Sequence, residues 1–434
     1  MHSLENVSKG QQGTALTLST LAFTICFAVW TIFAIIGVQI KQDLGLTDTQ
    51  FSLLVGTPIL TGSLIRLVLG IWSDQYGGRP IFMAVMLSSA FFTWCLAYAD
   101  TYNMMLLTSL GVGIAGGSFV VGIAYLSKWY PKEQQGTALG IYGMGNIGAA
   151  LTKFVAPFVM VAYGWHMVAQ VWAVALVIMA VLFWMLTKTE PQIAAQKASK
   201  APPKSMREAL QPLKKLQVWR FSLYYFFVFG GFVALALWLP RYYVGVYGMD
   251  IKQAGMLAAS FSVAGSLFRA VGGYMSDKYG ARVVMYWTFS VCVVCCFILS
   301  YPATDYVVHG IKSDIAFSFQ LGFIPFTLVL FVLGFFMSMG KAAIYKHIPV
   351  YYPDNVGSVA GIVGLIGGLG GFVLPICFGL MNDHLNVWTS CFMLLFVIVA
   401  IALVWMHITI LIMERHMQKS RYLPELGTQP TTGR

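Results

Sequence analysis

Residues 66–79 read RLVLGIWSDQYGGR, and residues 269–282 read RAVGGYMSDKYGAR. The two stretches share Arg66/Arg269, Gly70/Gly273, Asp74/Asp277, Gly77/Gly280 and Arg79/Arg282, every pair 203 residues apart. Five matched pairs at one offset mark an internal duplication. A second echo follows. Tyr130-Pro131 precedes Gly140-Ile-Tyr-Gly143, and Tyr352-Pro353 precedes Gly361-Ile-Val-Gly364, at offsets of 222 and 221. The longer offset fits an extended segment around 301–315. The chain around these motifs is apolar. Of 434 residues, 58% are hydrophobic and only 10% charged, with mean hydropathy +0.74. Soluble domains carry about 25% charged residues. This composition excludes a string of soluble domains and implies an integral membrane protein with little outside the bilayer.

A helix needs about 20 mostly apolar residues to cross the hydrocarbon core. Twelve stretches qualify: 17–40, 51–72, 81–99, 104–127, 136–161, 165–187, 219–240, 254–275, 283–301, 316–344, 357–380 and 388–413. Most are apolar all round, as bundle and lipid-facing helices are. The fold class is therefore an all-α membrane protein of twelve transmembrane helices in two pseudo-symmetric six-helix bundles. The alternating pattern of a membrane β-barrel is absent. The polar N-terminal residues lead into a span too long for a signal-peptide core, so the first helix reads as retained.

The charges divide by loop. With both termini in the cytoplasm, the inner segments hold 19 of the 27 Lys/Arg and 9 of the 16 Asp/Glu. The outer loops hold Lys41, Arg241, Lys252 and Lys312 against seven acids. The basic excess thus follows the positive-inside rule and calls for no nucleic acid. Residues 188–218 carry seven Lys/Arg and Pro202-Pro203. They read as a solvated linker between an N-terminal bundle (1–187) and a C-terminal bundle with a short cytoplasmic tail (219–434). The seven cysteines form no loop disulfide or zinc set, and no metal, phosphate-loop or catalytic constellation appears. The chain reads as no enzyme, with no cofactor, placed as a monomer in the cell's inner membrane.

The remaining cations lie inside spans: Arg66, Lys153, Arg269 and Lys341. Arg66 lies about 12 Å above Asp74 at 1.5 Å per residue, and the repeat sets Arg269 at the same depth. A mid-membrane arginine points to a functional site. All sixteen acids fall in loops, termini or span ends, so neither arginine has an evident counter-ion. A guanidinium fork suits a planar oxyanion, held by two parallel hydrogen bonds. Glycines crowd two helices: Gly136, Gly140, Gly143, Gly145 and Gly148 around Asn146, and Gly357, Gly361, Gly364, Gly368 and Gly371 with Gly367 and Gly370 alongside. The plainer reading of such faces is close helix packing. The sharper one is room for a small ligand and for gating.

The paired Gly-x-x-x-Asp-x-x-Gly-x-Arg motif resembles the loop 2–3 and loop 8–9 motif of the major facilitator superfamily. It departs from that pattern at Gln75, where the family has a base. The resemblance implies a gating latch of Asp74, Arg79, Asp277 and Arg282 on the cytoplasmic face. The central arginines beside Gly145-Asn146-x-Gly148 and Gly364-Leu-Ile-Gly367-Gly368 resemble the nitrate/nitrite porter family of that superfamily, over all twelve spans. The resemblance implies that Arg66 and Arg269 clamp the substrate, with Asn146 and these glycines beside it. It further implies that Phe119, Tyr225 and Phe229 sandwich the anion between rings. Taken alone, these three rings are ordinary core aromatics.

The expected activity is transport of nitrate and nitrite by alternating access. Empty, the two arginines would repel as the halves closed over them, and an anion would bridge them. This favours strict exchange. Proton-coupled nitrate symport is the alternative, with Lys153 and Lys341 as coupling candidates because a buried lysine can lose its proton. A facilitator for another anion or a drug fits less well with a glycine-lined site. A transport-like sensor would need a larger output domain than 414–434 supplies.

Overall fold

The structure is a computed structural model, and it describes residues 8–46, 48–198, 205–249 and 251–422. Twelve helices are long and apolar enough to cross a membrane: Lys9–Gly37, Leu53–Tyr76, Gly78–Leu96, Tyr102–Leu126, Gln135–Tyr163 and Trp165–Leu186, then Leu216–Tyr247, Gln253–Tyr279, Ala281–Ser300, Phe323–Tyr351, Val356–Leu385 and Ser390–Arg415. They are called spans 1 to 12. The face carrying the start of span 1, the end of span 12 and the segment after span 6 is called the terminal face. Within 188–218, short helices cover Pro191–Ala198 and Met206–Leu210, and residues 199–204 of the proposed linker lie outside the described residues. So do residues 423–434 of the tail.

The segment between spans 9 and 10 is not a plain loop. It forms an antiparallel hairpin, β1 (Thr304–His309) and β2 (Asp314–Phe319), with Thr304 opposite Phe319 and His309 opposite Asp314. Alternation explains it: Tyr306, Val308, Ile315, Phe317 and Phe319 share one face of the ribbon. The twelve spans are helical as expected, and this exposed ribbon lies outside them, taking residues 316–319 from the start of the expected tenth span.

Glycine sets how closely the two halves approach. A Cβ on Gly70 of span 2 would lie 2.0 Å from the Gly357 carbonyl of span 11. A Cβ on Gly273 of span 8 would lie 2.1 Å from the Gly136 carbonyl of span 5. Repeat-related glycines thus make matching backbone contacts between halves. The tight turns after spans 2 and 8 need glycine for another reason. Gly77 and Gly280 sit at φ +96° and +88°, where a side chain is strained.

Four spans break their α-helical regularity near their middles. Span 4 tightens to a 3-10 turn at Gly113–Gly117, span 5 at Met144–Ile147, and span 7 widens to a π-turn at Phe226–Gly231. Span 8 carries a local break at Phe268 (ψ 2°), immediately before Arg269. Such irregular turns re-aim side chains and frequently accompany functional sites.

Candidate functional site

Both central arginines are buried, each 1% exposed. Their surroundings differ. Arg66 is anchored: its Nε donates to the Gly116 carbonyl at 3.0 Å and its Nη1 to the Gly364 carbonyl at 2.8 Å. Its guanidinium lies 5.3 Å from the Phe229 ring centre and 5.4 Å from Trp30. Arg269 has no hydrogen-bond partner at Nε, Nη1 or Nη2. It is held by rings, 4.6 Å from Phe119 and 5.9 Å from Tyr345. Cation–π contact of this kind contributes up to about 2 kcal/mol when desolvated, yet it leaves every N–H unmatched. A buried donor without a partner costs about 1–3 kcal/mol.

The groups around Arg269 are also unsatisfied. The Tyr225 hydroxyl approaches Arg269 and Tyr345 without meeting hydrogen-bond geometry, and neither amide atom of Asn146 has a partner. Phe119 and Tyr225 lie within 5° of parallel with ring centres 6.5 Å apart. That spacing is at the wide end for paired rings. Phe229 stacks behind Tyr225 at 5.0 Å, and Tyr345 stands edge-on to both Phe119 and Tyr225 at 4.8 Å. The arrangement can receive a small flat acceptor: two guanidinium groups and a phenol as donors, with rings as walls.

The glycines divide by role. A Cβ on Gly364 would lie 3.1 Å from Arg66 Cδ and 3.0 Å from the Tyr345 hydroxyl. On Gly368 it would lie 2.2 Å from Ser63 Oγ, and on Gly367 2.3 Å from the Tyr225 ring. These three make room for the site. Gly145 and Gly148 face span 1 instead, with a Cβ 2.4 Å from Phe23 and 2.0 Å from the Thr24 carbonyl. Gly143 is the span 5 glycine against the arginine, its Cβ position 2.2 Å from Arg269 Nε. Tyr142 stacks on Phe119 with ring centres 5.9 Å apart. Sequence reasoning did not single out Gly143, Tyr345, Tyr142, Trp30 or Gly116 for these roles. Gly143 and Tyr142 lie in the duplicated Gly-Ile-Tyr-Gly stretch, a signal that was available. Tyr345 had none.

The motif aspartates act across the two halves. Asp74 of span 2 accepts from the Gly357 and Ser358 N–H groups, each at 2.9 Å, and from Ser358 Oγ at 3.1 Å. Asp277 of span 8 accepts from Gly136 N–H at 2.9 Å, Thr137 N–H at 2.6 Å and Thr137 Oγ1 at 2.7 Å. Each carboxylate caps the first turn of a helix in the opposite half, where free N–H groups and the helix dipole favour an anion. Asp277 also pairs with Lys346 at 2.6 Å, and Lys346 donates to the Lys132 carbonyl as well. The motif arginines stay within their own halves. Arg79 donates to the Trp184 carbonyl at 2.5 Å with its guanidinium 4.2 Å from that ring, and Arg282 lines a crevice beside span 12. The expected latch thus has helix ends as partners of its aspartates.

The two coupling candidates part company. Lys341 is fully buried, donates to the Gly265 carbonyl at 2.6 Å and lies 3.6 Å from the Phe232 ring centre. Lys153 lies on the exposed side of span 5. No group of three or more His, Cys, Asp or Glu suited to a metal occurs among the described residues.

Known proteins match this architecture. The profile of the Major Facilitator Superfamily matches residues 18–325. A probable nitrate/nitrite antiporter, NarK1 of Thermus thermophilus, is 42% identical over 411 residues, covering 91% of each chain. A probable nitrate transporter, NarT of Staphylococcus haemolyticus, is 31% identical over 95% of this chain and 99% of its own. A nitrite extrusion protein of Bacillus subtilis is 30% identical over 84% of this chain and 86% of its own. Among solved structures, the proton:xylose symporter XylE aligns with TM-score 0.73 over 92% of this chain and 96% of that one, at 12% identity. FucP in its outward conformation aligns at 0.67 over 91% and 98%, at 15% identity. Those two likenesses concern the fold, and the relatives at 30% identity and above concern lineage. The chain belongs to the major facilitator superfamily, and within it to the nitrate/nitrite porters.

Proposed function

We propose that this protein carries nitrate and nitrite across the cell's inner membrane by alternating access, exchanging one for the other. The observation that carries this reading is the partnerless Arg269 guanidinium, buried beside the unsatisfied Tyr225 hydroxyl and walled by Phe119 and Tyr345. A trigonal oxyanion offers three acceptor oxygens in one plane, which fits donors at the edge of parallel rings. The names of the relatives support the same substrates. The positive-inside count supports a terminal face in the cytoplasm. Residues 1–187 and 219–434 act as two rocking bodies, joined through 188–218, and the chain works as a monomer.

Exchange follows from electrostatics. Two unscreened guanidinium groups brought together in a closed site cost on the order of several kcal/mol, and an anion between them removes that cost. The empty carrier therefore stays in place. Proton-coupled symport is the second reading, favoured by buried Lys341 on the helix that also supplies Tyr345. One experiment separates them. Reconstituted vesicles are loaded with nitrite or left empty, with or without a proton gradient, and nitrate uptake is followed. Uptake is expected only into nitrite-loaded vesicles, whatever the gradient. Gradient-driven uptake into empty vesicles overturns exchange, and no uptake under any condition overturns the substrate assignment.

A further inference from the structure

The terminal face holds two repeat-related crevices that are filled in different ways. In the first half, the segment after span 6 folds back and buries Glu190, 0% exposed, against the start of span 3, where its carboxylate accepts from the Gly78 N–H. Tyr125 closes this pocket by donating to the Lys188 carbonyl at 2.8 Å. The first half thus supplies its own anion to this position.

The duplication maps Gly78-Arg79 onto Ala281-Arg282 and Tyr125 onto His347, at the offsets of 203 and 222 already noted. The register of the first helix of each half agrees. Tyr130 bonds the Gln12 carbonyl as Tyr352 bonds the Gln217 side chain. Three residues further on, span 1 has Ala15 where span 7 has Arg220. In the second half no segment folds back among the described residues. Span 12 continues as helix through Met413, and an open crevice remains, lined by Arg220, Arg282, His347, Phe221, Met406 and Met413 among others. Among the described residues no carboxylate lines it; Glu414, the next residue along span 12, is exposed. The Arg220 Nε is buried without a hydrogen bond, and His347 is held flat on Phe221 at 5.4 Å and 10°. Where one half places its own carboxylate, the other assembles two guanidinium groups and an imidazole.

We propose that this crevice, formed by spans 7, 9, 10 and 12 at the terminal face, binds a phosphate group. Guanidinium forks match phosphate oxygens, and basic pockets between membrane helices take anionic headgroups. The methionines of span 12 supply an apolar flank for an acyl chain. The phosphate belongs to an anionic phospholipid or to free inorganic phosphate, and the test separates the two.

The test uses the full chain purified in detergent, free of nitrate. Phosphatidylglycerol is titrated by native mass spectrometry, and inorganic phosphate by calorimetry. A single bound copy is expected in the wild type. Arg220→Gln is expected to weaken it by at least about tenfold, the loss of a charge-assisted hydrogen bond, and Arg220→Lys to fall between. Phosphatidylglycerol that persists against excess inorganic phosphate assigns the lipid; direct binding of inorganic phosphate, lost in Arg220→Gln, assigns the free ion. If Arg220→Gln does not purify, Met413→Trp narrows the crevice without touching a charge and is read in the same way. The proposal is overturned if neither probe binds the wild type, or if whichever binds is weakened less than that.

Discussion

The two central arginines are not equivalent, and replacing each by lysine separates their roles. Arg269 makes no hydrogen bond in the structure. Arg269→Lys therefore removes little from the unliganded protein beyond ring contact. It does remove one arm of the fork offered to the anion, because an ammonium is a point donor. A hydrogen bond to a charged group is worth about 1.5–3 kcal/mol, so substrate affinity is expected to fall about 10- to 150-fold at 1.4 kcal/mol per decade. Arg66→Lys acts on both sides. Its Nε and Nη1 bonds fix the Gly116 and Gly364 carbonyls, which belong to opposite halves. A lysine replaces at most one of them, so it loses affinity and also about 1–3 kcal/mol of stability from a stranded carbonyl. The assay is a pair of measurements on each variant: nitrate affinity from the concentration dependence of exchange, and apparent melting temperature without substrate. Arg269→Lys should lose affinity at nearly unchanged melting temperature, and Arg66→Lys should lose both. An Arg269→Lys variant that binds nitrate within twofold of wild type, or melts as early as Arg66→Lys, refutes the division into anchored and open arginines.

Gly143→Ala places a methyl 2.2 Å from Arg269 Nε; exchange is expected to drop by at least about tenfold with little loss of fold, the cost of overpacking being about 1–3 kcal/mol, read by transport rate beside a melting curve. Asp277→Asn removes a charge-assisted cap and the Lys346 pair; the terminal face should open more often, seen as faster thiol labelling of a cysteine placed at buried Ala138, whereas unchanged labelling denies the cap a gating role. Lys341→Met keeps the bulk and removes the charge beside Phe232; nitrate/nitrite exchange should persist, and its loss would make the lysine part of the transport cycle.

Some of this was legible in the residues and some was not. The twelve spans and the matched arginines could be read because long apolar runs and a fixed offset of 203 survive without any knowledge of packing. Which face a residue takes could not. A span that is apolar all round carries no periodic signal of its inside, so Lys153 and Lys341 were both coupling candidates although one is exposed and the other fully buried. The same blindness set Gly145 and Gly148 beside the arginines, where the chain turns them toward span 1 and presents Gly143 instead. The partners of the motif aspartates were hidden differently. Asp74 meets residues 283 and 284 positions away, and its contact is with backbone, which every sequence supplies. The hairpin at 304–319 was visible only as extra length, since its six-residue strands sit between two long apolar helices that dominate any hydropathy reading.

The aspartate caps have a consequence for how this carrier tolerates change. A lock made of two side chains fails when either is altered. Here the receiving half contributes chiefly peptide N–H groups at 136, 137, 357 and 358. Any residue except proline brings that group, although at 137 and 358 a threonine and a serine hydroxyl donate to the same carboxylates. The constraint falls on shape at the other two, where glycine lets the backbones meet. The contact between the halves thus rests chiefly on peptide groups on one side and on two carboxylates on the other. If these caps hold the terminal face shut, as the labelling experiment tests, lineages of such carriers can reshape the surrounding entrances while leaving that contact intact.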